Sequence, residues 1–270
     1  MWLPLPGTGG WIYMSRLDKV FSGGKAFIPF ITAGDPSLEF TEQLVYKMAE
    51  AGADLIELGI PFSDPVAEGP VIQAADQRAL EAGTTTDGIF SMLKRIRISC
   101  DVPIAFMTYM NPVFSYGTDK FISNCKTCGA DAIIVPDLPF EEREELLPLC
   151  EKYGVVLISM VAPTSGDRIR MIAERAEGFV YCVSSTGVTG IRQEIRSDAE
   201  TMIKSIKKVK DIPCAVGFGI STAAQAAKVA AYADGVIIGS AIVDIVGKLG
   251  SECIPHVDEY VRAIKKAVSE

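Results

Sequence analysis

The feature that most constrains this fold is a regular alternation of short, apolar, β-favouring runs with amphipathic helical runs. The predicted strands cover residues 26–33, 53–60, 102–109, 130–135, 155–161, 179–184, 214–217 and 236–238. Apolar side chains spaced by three or four residues predict helices over 38–51, 71–82, 89–98, 119–128, 141–153, 167–176, 198–209, 222–232 and 256–268. Such alternation is typical of a parallel sheet covered by helices.

A short motif recurs at the predicted helix ends and supports a repeated unit. Gly-Ala-Asp at 52–54 and at 129–131, and Tyr-Ala-Asp at 232–234, each run directly into an apolar strand. Eight strand–helix units in 270 residues predict an α/β fold, a single (β/α)8 TIM barrel with extra short helices. An open doubly wound sheet is the alternative, but no G-x-G-x-x-G motif follows the first strand.

Residues 14–270 are predicted to form this TIM-barrel domain, and residues 1–13 are expected to be a disordered leader or an upstream extension. The leader contains both tryptophans, Trp2 and Trp11, and its prolines and glycines interrupt its apolar run. It lacks the basic start of a signal peptide. No stretch of the chain approaches the roughly 18 apolar residues that a membrane span needs.

Charge and cysteine usage narrow the possible functions. A net charge of −8 and a pI near 4.9 disfavour binding to nucleic acids or anionic membranes, which need a basic surface. The seven cysteines are scattered and odd in number, which is typical of free thiols in the reducing cytoplasm. The one C-x-x-C pair, Cys125 and Cys128, lies on an apolar helix face, so packing is favoured over zinc binding or redox chemistry.

Glu57 is the most unusual residue of the predicted barrel, because it lies in the middle of an apolar strand. If Ile56 and Leu58 face the helices, alternation along the strand directs Glu57 to the interior or the mouth of the sheet. Burying a carboxylate there costs several kcal/mol unless it is paired or protonated. We interpret Glu57 as a proton-transfer group with a raised pKa; a core carboxylate satisfied by a neighbour is the alternative.

Catalytic groups of TIM barrels lie at the carboxyl ends of the strands. Glycine-rich turns follow the last two predicted strands, at 217–221 and 239–241, and the second leads through Ser240 into a short helix. Backbone N–H groups in such turns and at helix N-termini bind phosphate; plain tight turns are the alternative. The glycine-punctuated loop at 185–196 is typical of a mobile lid, with a disordered connector as the alternative.

Two absences narrow the chemistry. No lysine lies at a predicted strand end, which disfavours a Schiff-base aldolase. The only histidine, His256, begins the last helix, which argues against a histidine-rich metal site and a Ser-His-Asp triad. The chemistry that these absences leave is acid–base catalysis by carboxylates on a phosphorylated, partly apolar substrate.

Five segments closely resemble the tryptophan synthase alpha subunit family, in family order. They are Pro-Phe-Ile-Thr-Ala-Gly-Asp-Pro at 29–36, Glu-Leu-Gly-Ile-Pro-Phe-Ser-Asp-Pro at 57–65, Gly-Val-Thr-Gly at 187–190, Gly-Phe-Gly-Ile-Ser at 217–221 and Ile-Gly-Ser-Ala-Ile at 238–242. The resemblance implies a barrel that cleaves indole-3-glycerol phosphate to indole and glyceraldehyde 3-phosphate. It also implies a beta-subunit partner, in an alpha2-beta2 heterotetramer, that joins indole to serine with its own pyridoxal phosphate; no cofactor or metal is expected in this chain.

By position, the resemblance makes Glu57 the general acid–base and Glu68 the carboxylate that accepts the indole N–H. It implies phosphate contacts from Gly190, Gly219, Gly239 and Ser240, and an indole pocket of Phe30, Met107, Ile134, Tyr181 and Phe218. Thr189 matches a lid threonine that hydrogen-bonds the Glu68 position on closing. The family usually has aspartate there, so the longer Glu68 requires its loop to adjust. Residues 61–65 resemble the face that meets the beta subunit.

Two alternatives to a lyase subunit are considered. The first is a catalytically weak chain whose main role is to bind and switch the beta subunit, with Glu68 as a sign of relaxed chemistry. The presence of Glu57, the phosphate turns and the lid argues against it, since a docking module needs none of them. The second is a free-standing lyase that releases indole, which the sequence does not distinguish from a subunit.

Overall fold

The fold is that of a computed structural model, which describes residues 15–183, 198–217 and 219–270 and the backbone of segments 2–4, 11–13 and 195–197. The barrel strands are β1 (Ala26–Thr32), β2 (Ile56–Gly59), β3 (Ile104–Met107), β4 (Ala132–Ile134), β5 (Val156–Leu157 and Ser159–Val161), β6 (Val180–Val183), β7 (Cys214–Gly217) and β8 (Gly235–Ile238). The helices are α1 (Leu38–Glu50), α2 (Pro70–Glu81), α3 (Thr86–Ile96), α4 (Met110–Tyr116), α5 (Thr118–Cys128), α6 (Leu147–Tyr153), α7 (Arg168–Arg175), α8 (Ile195–Lys207), α9 (Ala223–Ala230), α10 (Ser240–Leu249) and α11 (Ile254–Ser269).

The strands pair in parallel and in chain order, and β8 pairs with β1. The fifth strand is interrupted at Ile158, and its two segments bond to different neighbours: the first pairs with β4 and the second with β6. The continuous strand predicted at 155–161 is therefore two pieces, which together bring the sheet round to a nearly closed barrel. The prediction of a TIM barrel is confirmed.

Alternation along each strand divides the core into two layers. Side chains such as Ile28 and Ala105 fill the barrel interior. The residues between them, such as Phe27 and Phe106, pack outward against the helices. On β2 the outward side chains are Ile56 and Leu58, so the orientation expected for this strand is confirmed.

The three recurring aspartates close the amino-terminal end of the barrel. Each accepts a hydrogen bond from a backbone N–H at the start of the preceding strand: Phe27 to Asp54 (2.7 Å), Ile104 to Asp131 (2.9 Å) and Cys214 to Asp234 (2.9 Å). Each also binds a cation: Lys265 for Asp54 (2.6 Å), Arg97 for Asp131 (3.0 Å) and Lys207 for Asp234 (3.0 Å). The motif recurs because each copy performs the same task, joining two adjacent strands where they begin.

The structure differs from the predicted helices in two places: one predicted helix is two elements, and one helix was not predicted. The helix predicted at 141–153 is a 3-10 helix, Phe140–Glu145, followed by α6, because Pro148 in the first turn of α6 lacks the N–H that a continuous helix would use. Helix α4 was not expected, because it follows β3 directly and is only seven residues long. The C-x-x-C pair lies on the buried face of α5, and all seven cysteines are free thiols.

At the amino terminus, Trp2–Pro4 and Trp11–Tyr13 pair as antiparallel strands. The start of the folded domain at residue 14 stays a prediction. Most of the predicted lid, 185–194, lies outside the described residues. In the part of the chain that the structure describes, each helix is too short or too polar to cross a membrane.

Asp131 provides a test of the strand clamps, because its side chain is 9% exposed and also binds Arg16 at 2.9 Å. Replacing Asp131 with Asn should lower the free energy of unfolding by about 3 kcal/mol, since Arg97 then stays buried without its counter-charge. Asp54→Asn, at a more exposed clamp, should cost only about 1 kcal/mol. Urea unfolding of both variants measures the two effects; equal losses would contradict the importance of burial.

Candidate active site

Glu57 lies on the inner side of β2 and is 1% exposed. Neither of its carboxyl oxygens has a hydrogen-bond partner in the described structure. Burial raises the pKa of Glu57 to about 8, because the charged form loses its hydration. A carboxylic acid that stays neutral at pH 7 can donate a proton and, once ionised, take one back. The alternative of a core carboxylate satisfied by a neighbour is therefore wrong.

The apolar residues expected around the substrate ring come together near Glu57. Phe30, Met107, Ile134 and Tyr181 belong to the same interior cluster and are at most 8% exposed. In the ladders, Phe30 is paired with Glu57, and Met107 with Ile134. These four residues form an apolar cluster, and Phe30 brings an aromatic ring to the strand beside the acid.

Two glycines at strand ends make room for the two aromatic rings of this apolar cluster, Phe30 and Tyr181. A Cβ atom on Gly59 would lie 2.5 Å from Cζ of Phe30, and one on Gly217 would lie 2.5 Å from the hydroxyl oxygen of Tyr181. Any larger residue at either position would displace the ring. The glycines that end β2 and β7 are therefore needed for close packing at the mouth of the barrel.

Glu68 lies in the connection between β2 and α2, here called loop two (residues 60–69). The Tyr109 hydroxyl donates a short hydrogen bond to the Glu68 carboxylate and accepts one from the backbone N–H of Ala67 at 2.9 Å. The Tyr109 ring also packs against Phe62, with ring centroids 5.6 Å apart. Burial raises the pKa of Glu68, while the bond from Tyr109 opposes that rise. Tyr109 therefore fastens loop two to the end of β3.

After β8, Gly239 precedes α10 as its N-cap and Ser240 is the first residue of that helix. Among the residues that the structure describes, no side chain caps the first turn of this helix, so its first backbone N–H groups are available to an anion. Gly219, in the turn after β7, is exposed, has a φ of +74° and has open space beside it. A phosphate site built from backbone N–H groups needs no cluster of basic side chains, which is consistent with a net charge of −8.

Three of the expected contact residues, Thr189, Gly190 and Phe218, lie outside the described residues. Asp137, in the connection after β4, caps α4 by accepting from the backbone N–H of Met110 at 3.0 Å. The bond joins the connection after β4 to the first turn of α4.

Sequence reasoning missed two residues of this site. Tyr109 is the last residue of the strand predicted at 102–109, but its bond to Glu68 depends on the path of loop two, which the sequence does not give. Asp76 was not singled out, although it lies at a helical spacing of four from Ile72 and three from Ala79, on a face that is otherwise apolar. A charge on such a face was the available signal. Asp76 is 5% exposed.

The fold and the site define a class of protein: a (β/α)8 barrel whose interior holds a buried acid, without a hydrogen-bond partner among the described residues, beside apolar side chains. Comparison with known proteins agrees. The tryptophan synthase alpha chain family matches residues 18–269. The tryptophan synthase alpha chain of Thermoanaerobacter sp. (strain X514) is 46% identical over 94% of this chain and 100% of its own length. The tryptophan synthase alpha chain of Lacticaseibacillus casei is 48% identical over 94% of this chain and 96% of its own length.

A solved structure supports the same family. The tryptophan synthase subunit alpha of Legionella pneumophila str. Paris superposes with a TM-score of 0.85 at 34% identity, over 95% of this chain and 99% of that one. This chain belongs to the tryptophan synthase alpha chain family. Members are carbon–carbon lyases that cleave indole-3-glycerol phosphate to indole and glyceraldehyde 3-phosphate.

The raised pKa of Glu57 predicts how stability depends on pH. The unfolded carboxyl releases its proton near pH 4.3, whereas the folded one retains it to about pH 8. Between these values the unfolded state binds fewer protons, so stability falls as pH rises. The advantage of Glu57→Gln over wild type should therefore grow by about 3 kcal/mol from pH 5 to pH 8. Urea unfolding at both pH values measures it, with exposed Glu39→Gln as control; an unchanged difference would show that Glu57 ionises freely.

Proposed function

We propose that Glu57 is the acid–base residue that cleaves indole-3-glycerol phosphate in this chain. The observation that carries the proposal is its complete burial without a hydrogen-bond partner, which keeps it protonated at pH 7. It starts the reaction as an acid and gives its proton to C3 of the indole ring. The carboxylate so formed then accepts the proton of the glycerol hydroxyl that adjoins the ring.

Loss of that hydroxyl proton breaks the bond between indole C3 and the glycerol carbon. The electron pair of this bond returns to the ring, and the hydroxyl oxygen becomes the aldehyde oxygen of glyceraldehyde 3-phosphate. Glu57 ends the cycle protonated, so no water or external proton is consumed. One carboxyl group performs both transfers because its pKa of about 8 lies close to the working pH.

Glu68 supplies the second charge. Protonation at C3 places positive charge on the ring nitrogen, and a carboxylate that accepts the N–H stabilises it. Tyr109 supports this role, since its hydroxyl holds the Glu68 carboxylate and its contact with Ala67 holds the backbone beside it. We infer that this anchor accommodates the extra methylene of Glu68 where the family usually has aspartate.

Binding contacts complete the proposed site. The backbone N–H groups of Gly219, Gly239 and Ser240 bind the phosphate, with Gly190 from the lid. Phe30, Met107, Ile134, Tyr181 and Phe218 enclose the indole ring. Thr189 closes over the site by hydrogen-bonding the loop-two carboxylate. The apolar, close-packed surroundings of the four described ring contacts support this assignment.

We infer further that the chain passes indole to a beta subunit that holds pyridoxal phosphate. Two exposed apolar side chains support a partner at the catalytic face: Val66 of loop two is 80% exposed and Phe114 of α4 is 77% exposed. They belong to the connections after the neighbouring strands β2 and β3, beside the predicted contact segment 61–65. Large apolar side chains in exposed positions next to a substrate mouth are typical of a binding surface.

Indole release from indole-3-glycerol phosphate tests the mechanism, with the purified chain alone and with a beta subunit. Glu57→Gln retains the shape but cannot transfer a proton, so kcat should fall about a thousandfold. Glu68→Asp retains the charge and should stay within about tenfold of wild type. Glu39→Gln is the control for a surface change. Full activity of Glu57→Gln would refute the mechanism, whereas an inactive wild type rescued by Glu68→Asp would favour a docking subunit with damaged chemistry.

Phe114 tests the proposed partner surface. Phe114→Ser should weaken binding of a tryptophan synthase beta subunit by about tenfold or more, since buried aromatic anchors dominate interfaces. Ile98→Ser is the matched control, because Ile98 is 85% exposed and follows α3, at the opposite end of the barrel. Titration calorimetry with the beta subunit compares the two variants. Equal affinities would place the partner elsewhere.

A further inference from the structure

A cavity of about 250 Å³ lies at the place where the fifth strand changes partners. It is lined by residues from segments 135–143 and 157–172 and by Val183, and is here called the seam cavity. Strand β5 is only half-buried along most of its length, whereas β1 to β4, β7 and β8 are buried throughout. None of the described active-site residues lines the seam cavity, so the chemistry proposed above does not account for it.

The walls of the seam cavity come from two parts of the outer core. Leu138 and Leu157 pack with the part around α5 and α6, and Val161 and Ile172 pack with a separate part between α7 and α8. Between them the outer layer contains the 3-10 helix Phe140–Glu145 instead of a full α-helix. The lining is apolar except for two arginines and two serines. The barrel wall therefore contains an apolar space that its own side chains leave open.

One of the lining residues, Arg143, is a buried cation without a counter-charge in the described part of the chain. It is 7% exposed, and its Nε atom has no hydrogen-bond partner there. Its Nη1 atom donates to the backbone carbonyl of Arg175 over a long distance, 3.5 Å. The guanidinium carbon lies 5.2 Å from the ring centroid of Phe140. This contact is attractive, but it supplies no negative charge.

Negative charge is available next to Arg143 and is not used. Four exposed glutamates flank it in the 3-10 helix: Glu141, Glu142, Glu144 and Glu145. Glu141 binds Arg168, and Glu144 lies 4.0 Å from Arg175. A buried guanidinium that lacks an acceptor costs free energy. An anion that enters the seam cavity from outside the chain would remove this cost.

The polar groups of the seam cavity define the kind of anion that fits. Arg143 carries one charge, and the second lining arginine, Arg168, is already paired with Glu141, so a single negative charge is balanced. A planar guanidinium matches a carboxylate with two parallel hydrogen bonds. The hydroxyl oxygen of Ser165 accepts from the backbone N–H of Ala162 at 3.1 Å, which leaves its hydrogen available to a ligand. A volume of about 250 Å³ is below the roughly 300 to 1,000 Å³ of pockets for drug-sized molecules.

We propose that the seam cavity binds a small monocarboxylate with an apolar body. Arg143 holds the carboxylate, Ser165 donates a hydrogen bond to it, and the apolar walls enclose the rest of the molecule. The charge of the ligand pairs the buried guanidinium, and burial of its apolar part adds favourable free energy. The site does not depend on the roles proposed for Glu57 and Glu68.

The experiment titrates cyclohexanecarboxylate into the purified chain and follows isotopically labelled methionine methyl groups by NMR. Met160 lines the seam cavity, and Met107 belongs to the cluster proposed to enclose the indole ring. The Met160 signal should shift saturably while the Met107 signal stays in place. Arg143→Met retains the length of the side chain without its charge and should bind at least about tenfold more weakly. Cyclohexanecarboxamide, which has the same shape but no charge, should bind wild type at least about tenfold more weakly.

Arg170→Met is the matched control, because the Arg170 side chain on α7 is 80% exposed, binds Glu174 and does not line the seam cavity. It should bind the probe as wild type does. Without the probe, Arg143→Met should unfold at a temperature no lower than wild type, since the unpaired charge is gone. With the probe, the Tm of wild type and Arg170→Met should rise while that of Arg143→Met stays unchanged.

Two results would overturn the proposal. The first is the absence of a saturable shift at Met160, or a shift at Met107 alone, which would place the probe elsewhere. The second is equal binding of the carboxylate and the carboxamide, which would show that the guanidinium has no part. Both comparisons use wild type, so they remain decisive even if Arg143→Met does not fold.

Discussion

The structure depends on the closure of a parallel sheet, which sends every second side chain of each strand into a narrow interior that water does not fill. This constraint gives Glu57 its chemistry. The same residue on the outer side of β2 would point into the helical layer, away from any substrate. On the inner side it lies beside Phe30 and has no hydrogen-bond partner in the described structure. The cost of burying its charge is what makes it an acid at neutral pH.

The same physical effect acts on loop two with a different outcome. Burial raises the pKa of Glu57, Glu68 and Asp76 alike, yet their surroundings separate them. Within the described residues Glu57 has no hydrogen-bond donor, Glu68 has the Tyr109 hydroxyl, and Asp76 has the Thr32 hydroxyl. In our proposal the first of these acids is therefore a proton carrier and the second a fixed negative charge.

Most of the barrel could be predicted from the sequence, because strand and helix periodicities and the recurring Asp motif are local signals. The interrupted β5 and the break before α6 were harder, since the first depends on pairing with two different neighbours. At the site, Glu57 was conspicuous as a charge in an apolar strand. Tyr109 was not, because its partner Glu68 is 41 residues away in the chain and meets it only after loop two folds over the barrel mouth.

The sequence by itself determined the class of fold, the family and the acid in β2, because apolar periodicity and contiguous motifs do not depend on distant contacts. Only the tertiary structure decided that Glu57 has no partner among the described residues, that Tyr109 holds Glu68 and that Thr32 donates to the buried Asp76. Each of these facts is a distance between side chains far apart in the chain. The pKa of a buried acid depends on its surroundings, and those surroundings exist only once the barrel has formed.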